Sequence, residues 1–229
     1  MTQPPRITLA RPWLCADLGA PHRVLSFAPH NPGFVMARRI LWREVRNADL
    51  SPEVDALQWF AGQMAARGDG DGVGMLTSRS LDRYCVVRAE VEGLGATCIA
   101  TVGLGNGEAA GARRPTVRPT ATGTINIAVI LDHGLTETAQ IEALTIAAEA
   151  RTAAVMDAGV RLESGAPITG TGTDCIALAA PPGDQAFAGL HTATGEALGR
   201  AVRQAVAEGA AAWIAENGLV ASGYPEDAV

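Results

Sequence analysis

Gly123-Thr124-Ile125-Asn126-Ile127-Ala128-Val129-Ile130-Leu131 is the stretch around which this chain is organised. From Ile125 to Leu131 it is almost continuously apolar, as a central strand buried on both faces is. Thr136 and Glu137 then open an alanine-rich helix. Its inner stripe is expected at Ile141, Leu144, Ala148, Thr152 and Val155, and its end at Gly159. Thr169-Gly170-Thr171-Gly172-Thr173-Asp174 leads into a second apolar strand, Cys175 to Ala179. Small residues, hydroxyls, an amide and a carboxylate therefore collect at strand ends, with the core behind them. That is how a site is built on the rim of a sheet.

Upstream, Arg6 to Leu18 mixes β-formers with Pro12 and reads as an edge strand or irregular start within an irregular segment over 1–22. Arg23 to Ala28 is a short apolar run closed by the turn cluster Pro29-His30-Asn31-Pro32-Gly33, and Phe34 to Val45 is another strand. Ser51 as N-cap and Pro52 at the first helical position start a helix on which Val54, Leu57, Phe60, Ala61 and Met64 share a face, ending near Gly68. Strands follow at Val73–Thr77, Tyr84–Glu92 and Thr97–Val102. The final helix begins near Thr194, buries Leu198, Val202, Ala205, Gly209 and Trp213, and is capped by Asn217-Gly218. Several strands in succession with three helices inserted imply α+β: one domain over 1–229, with a mixed, mostly antiparallel sheet and helices packed on it.

Composition excludes several functions. The 229 residues carry a net charge of −6, which argues against nucleic acid as a partner. The one basic cluster, Arg113, Arg114 and Arg118, is broken by prolines and reads as an exposed loop. Cys15, Cys85, Cys98 and Cys175 form no C-x-x-C pair and lie in or beside apolar runs, so they are read as core thiols. No signal peptide or membrane span is visible, and the expectation is a cytoplasmic protein. Asp69-Gly70-Asp71-Gly72 is read as a turn, because a calcium loop has no use for Val73 at its next ligand position.

Four clusters carry groups that suit chemistry. Thr124 and Asn126 flank the start of the central strand. Gly103 to Asn106 is a glycine-rich turn after a strand. The prolines from Arg113 to Pro119 deny it the following helix that a dinucleotide fingerprint needs, so close backbone approach or a mobile flap is the better reading. It opens an expected active-site loop over 105–122. Thr169, Thr171, Gly172, Thr173 and Asp174 form the third cluster; His191-Thr192 with Gly195-Glu196 forms the fourth. Carboxylates and histidine move protons at neutral pH, and hydroxyls beside glycine offer donors to an oxyanion. Each cluster has a structural alternative: a tight turn, a cap, or a carboxylate favoured by a helix dipole.

In that order, these blocks resemble the adenosylcobinamide amidohydrolases of the CbiZ type. The resemblance rests on Val102-Gly103 to Asn106, Gly123-Thr124-Ile125-Asn126-Ile127, Glu149-Ala150-Arg151-Thr152-Ala153-Ala154, Thr169 to Asp174, and Gly189-Leu190-His191-Thr192 with Gly195-Glu196. Val24-Leu25-Ser26 and Leu76-Thr77-Ser78 agree more weakly. Arg151 departs from an expected lysine, and Pro29 to Gly33 from a glycine- and asparagine-rich segment. The resemblance implies corrinoid salvage: hydrolysis of the aminopropanol amide of adenosylcobinamide to adenosylcobyric acid. No cofactor is required on this reading, and the partners are the corrinoid substrate and, as an open option, a second copy in a homodimer. Catalytic roles are expected for Asp174, His191, Glu196, Asn126 and Thr173, with His191 and Asp174 meeting beside Asn126. Substrate contacts are expected from Gly103, Asn106, Thr124, Thr169, Thr171, Gly172 and Thr192. Attack by water or by Thr124 or Thr173 is left open, as is a divalent metal on Asp174, His191 and Glu196. The alternatives are a corrinoid carrier without turnover and an amidohydrolase for another amide.

Overall fold

The structure is a computed structural model that describes residues 4–46, 49–50, 53–112 and 123–217. It begins with a hairpin, which corrects the expectation of an irregular segment over 1–22. Strands β1 (Arg6–Ala10) and β2 (Trp13–Ser26) pair antiparallel, with Ala10 opposite Trp13. Pro12 falls in the turn, where its missing N–H removes no ladder bond. The run expected to stop at Leu18 continues because β2 passes through a register shift between Asp17 and His22, eased by Gly19 at φ 77°.

Strand β3 (Gly33–Glu44) returns antiparallel to β2, and helix α1 (Ala56–Arg67) leads to β4 (Val73–Thr77), parallel to β3. The N-cap of α1 is Asp55, whose carboxylate accepts from the backbone N–H groups of Leu57 and Gln58. This corrects the start expected at Ser51 and Pro52, which lie outside the described residues; a carboxylate serves the first-turn donors as well as serine does. Gly68 closes the helix in the left-handed region, where glycine is expected.

Strands β5 (Cys85–Val91) and β6 (Leu94–Val102) form a hairpin. Then come β7 (Gly107–Glu108), β8 (Ile125–Leu131), helix α2 (Glu137–Asp157), β9 (Gly170–Thr171), β10 (Cys175–Ala180) and helix α3 (Ala193–Glu216). The main sheet has the order β4-β3-β2-β10-β8-β6-β5, with β1 added on β2. Among the described strands of this sheet, only β3 with β4 and β8 with β10 pair parallel, so the fold is α+β with a mixed, mostly antiparallel sheet.

Alternation along the central strands sorts two cores. Ile125, Ile127, Val129 and Leu131 of β8 face α2 and α3, together with Ile176 and Leu178 of β10 and Cys98 and Val102 of β6. On the opposite face Ala128, Ile130, Ile99 and Ala177 pack with Leu14, Ile40, Trp42, Val73 and Met75. The sheet thus curls so that its two halves meet face to face. Helix α1 covers the outside of the β2–β3 half, where Phe60 and Met64 bury against Trp13, Cys15 and Leu41.

The buried face of α2 is Ala139, Gln140, Ala143, Ile146, Ala147, Ala154 and Val155. That corrects the stripe expected through Ile141, which is half exposed. Helices α2 and α3 lie side by side on one sheet face, and alanine lets them approach closely. The stripe on α3 is as expected at Leu198, Val202, Ala205 and Gly209, with Thr192 as N-cap. All four cysteines are free thiols. Burial pushes the Cys175 thiol up to about 12, with the Asp174 carboxylate adding to it.

Candidate functional site

Strands β8 and β10 start at the same rim of the sheet, with Asn126 in register with Cys175. Strand β6 ends there, since Val102 lies opposite Ile125. The turns before β8 and β10 and the turn after β6 therefore converge. β7 and β9 zip two of them together, Gly107 opposite Thr171 and Glu108 opposite Gly170. Gly172 N donates to Asn106 O at 3.1 Å and Thr169 N to Glu108 O at 2.8 Å. Gly103, Asn106, Thr124, Asn126, Thr169, Thr171, Gly172, Thr173 and Asp174 thus share one rim. Of the expected loop over 105–122, residues 113–122, including Arg113, Arg114 and Arg118, lie outside the described residues.

Asp174 is the hub of this rim. Its Oδ1 accepts from Ile125 N at 3.1 Å and from the Thr171 hydroxyl, and its Oδ2 from Thr171 N at 3.0 Å and from Arg151 Nη1 of α2. Four donors fill the lone-pair directions of one carboxylate. Asp174 therefore ties the Gly170–Asp174 turn to the start of β8 and to α2. Most of the other polar side chains on the rim are also held by hydrogen bonds. Thr124 donates to Thr173 O at 2.8 Å. Asn126 is fully buried and donates across the curled sheet to Leu76 O at 2.6 Å. Thr169 Oγ1 accepts from Ala110 N at 2.8 Å. The exposed Thr173 has the loosest hydroxyl, 3.4 Å from Gly123 O.

Gly123 has no room for a side chain. A Cβ there would stand 2.6 Å from Gly105 N, 2.7 Å from Gly103 O and 2.8 Å from Asn106 N, all backbone. Gly123→Ala should consequently cost about 1–3 kcal/mol of stability, the size expected for overpacking. Thermal unfolding checks this; a wild-type midpoint would mean that the two turns are not in close contact.

Beside Gly103 and Gly123 opens a polar pocket of about 340 Å³, lined also by Ser78, Arg79, Ser80, Trp213, Glu216 and Asn217. Arg79 Nη1 bonds Glu216 Oε2 at 2.5 Å, and Arg83 Nε bonds Oε1 at 2.8 Å. The hydrogen bond from Arg79, opposed only by slight burial, holds the Glu216 carboxyl below its ordinary range. Sequence reasoning missed Arg79 and Glu216. The signal within reach was Leu76-Thr77-Ser78, which leads straight into Arg79.

The fourth cluster lies elsewhere, and the expected meeting of His191 with Asp174 beside Asn126 is corrected. After β8 and β10 end, Leu135 N bonds Pro181 O, and His133 reaches Thr194 at the start of α3. His191, Thr192 and Glu196 are at this far rim. The seven residues of β8 separate the rims by about 20 Å at ~3.3 Å per residue. A ligand set of Asp174, His191 and Glu196 is accordingly not assembled, and the described residues hold no group of three or more His, Cys, Asp or Glu placed for a metal. Thr192 caps α3, its hydroxyl accepting from Gly195 N at 2.9 Å, and Glu196 pairs with Arg200.

The wired histidine at the far rim is His133, between Asp132 Oδ1 at 3.2 Å and Thr194 Oγ1 at 2.8 Å. Asp132 also accepts from Arg88 and from Gly95 N, each at 2.9 Å. Burial raises the Asp132 pKa, but bonds from Arg88, Gly95 and His133 outweigh it and the net shift is downward. A depressed carboxyl stabilises the fold above its unfolded pKa, and that contribution is lost as pH falls through the folded value. Asp132→Asn should therefore lower the unfolding midpoint at neutral pH and match wild type once the pH has fallen well below the ordinary aspartate range. An equal deficit at both pH values would contradict this assignment.

The family model for adenosylcobinamide amidohydrolase (CbiZ) matches residues 2–218 of this chain. No curated protein matches. Among solved structures the chain is similar to the PH0078 protein from Pyrococcus horikoshii OT3, at 10% identity and a TM-score of 0.42, over 91% of this chain and 82% of that one.

Proposed function

This chain belongs to the adenosylcobinamide amidohydrolase family, and on that premise we propose that it hydrolyses the aminopropanol amide of adenosylcobinamide at the rim where β8 and β10 begin. The family match over residues 2–218 carries the reading. Two features of the rim support it. The turns are rich in glycine and threonine, which suits a flat ligand decorated with amides. The adjoining pocket, about 340 Å³, is far smaller than a corrin ring, so it suits entry of the scissile side chain alone.

Amide hydrolysis needs a nucleophile, a base and a stabilised oxyanion. The hydroxyl of Thr124 donates to the backbone carbonyl of Thr173, which cannot take its proton, and that of Thr171 is held by Asp174, whose other lone pairs are filled. That of Thr173 faces only a carbonyl, which cannot take its proton. This favours water as nucleophile over a threonine. Asp174 accepts four hydrogen bonds and His191 is remote, whereas Glu216 lines the pocket and takes one arginine donor on each oxygen, which keeps a lone pair open to take the proton. Water adds to the carbonyl carbon, the C–N bond breaks, the amine leaves with the proton, and a carboxylate remains on the ring. Asp174 and Asn126 act by holding the rim.

Purified protein and adenosylcobinamide should give aminopropanol in one-to-one proportion with a new ring carboxylate, and hydroxylamine should trap no corrinoid ester on Thr124 or Thr173. A trapped ester would replace water by a threonine. Tight binding with no amine released over hours would favour a carrier.

A further inference from the structure

Arg79 is an unusual arginine. Its side chain is only 10% exposed, yet Nε and Nη2 are buried with no hydrogen-bond partner among the described residues. Buried donors are nearly always paired, and leaving a guanidinium half-paired costs more than leaving a neutral group so. The unpaired atoms belong to a residue that lines the polar pocket beside Gly103 and Gly123. Its other end is fixed: Nη1 is held by Glu216, and the backbone N–H donates to Thr77 Oγ1 at 3.1 Å. Arg79 and Arg83 share the single carboxylate of Glu216, so this group of charges retains a net positive charge.

We infer that Arg79 is an oxyanion receptor, its free Nε and Nη2 donating as a fork to the oxygens that develop at the carbonyl carbon during amide hydrolysis and to the carboxylate that remains. Nε and one terminal nitrogen of a guanidinium match the two oxygens of a carboxylate, a geometry that lysine cannot reproduce. Glu216 fixes the guanidinium in advance, so little reorganisation is needed as charge develops. The choice of amide rests on the function proposed above; the affinity for an oxyanion does not.

The test is 15N NMR of the wild-type protein, following the Arg79 Nε–H resonance during titration with inorganic phosphate and, separately, with adenosylcobyric acid. Both should shift it saturably. Arg79→Lys should lower kcat on adenosylcobinamide about 100-fold, the effect of losing one oxyanion donor, with KM changed less than about threefold because the contact forms in the transition state. An unmoved Arg79 resonance with both anions overturns the inference whether or not the lysine variant folds. Wild-type turnover in Arg79→Lys overturns it and leaves the amidohydrolase reading intact. A saturable Arg79 response without corrinoid hydrolysis supports the receptor and removes the corrinoid.

Discussion

Replacing Asp174 by asparagine should lower turnover at least about 100-fold and lower stability together. The carboxylate accepts from Ile125 N, from the amide and hydroxyl of Thr171, and from Arg151. Asparagine offers one acceptor oxygen in place of two, and turns an NH2 group toward donors. Arg151, half-buried with its Nε buried and unpaired among the described residues, would lose its anionic partner. Breaking one side of such a pair costs about 3–5 kcal/mol. The turn from Gly170 to Asp174 would then come away from the start of β8, and turnover should fall at least about 100-fold, as misplaced groups do. Circular dichroism melts and amine release on one preparation check both effects. Full turnover with a lowered melting point would detach the Asp174 hub from the chemistry.

The second large effect is expected at Glu216. Glu216→Gln removes the carboxylate proposed to take a proton from water, and turnover should drop about 100- to 10,000-fold. The Arg79 hydrogen bond, against slight burial, depresses the folded carboxyl pKa. Glu216 therefore stays ionised to lower pH than a free glutamate. The acid limb of kcat/KM should accordingly lie below the ordinary glutamate range, about 4.3. His191→Ala, at the opposite end of α3, whose 24 residues span about 36 Å at ~1.5 Å per residue, should keep turnover within about threefold. Loss of activity in His191→Ala with a retained rate in Glu216→Gln would move the site to the far rim.

Much of this was legible in the sequence where local signals agreed. The apolar run Ile125–Leu131 is a strand over those same residues. The Thr136 and Gly68 caps and the small-residue stripe of α3 stand where turn and cap chemistry put them. The α+β class followed from the order of elements. Three features were not legible, each for a physical reason. β2 runs through Gly19-Ala20-Pro21 because a bulge absorbs them, and a bulge is set by the partner strand. The face of α2 is chosen by its neighbour α3, so alanine rather than Ile141 is buried. His191 and Asp174 both precede regular elements, but β10 runs between them and carries the chain to the other rim. Local spacing holds no record of that traverse.

The nine expected residues at the near rim gather because three turns converge, which depends on β6, β8 and β10 being neighbours. The resemblance named those turns without giving this geometry. Arg79 and Glu216 escaped because they are far apart in sequence and meet only through the end of α3. Neither lies in a motif that chemistry would single out.

Incubation of the wild-type protein with adenosylcobinamide, followed by mass analysis of the corrin ring, tests the central claim most directly. The ring should appear as adenosylcobyric acid, the aminopropanol amide replaced by a carboxylate, and Asp174→Asn protein should form it at least about 100-fold more slowly. A ring recovered with its aminopropanol still attached after hours with folded wild-type protein would contradict it.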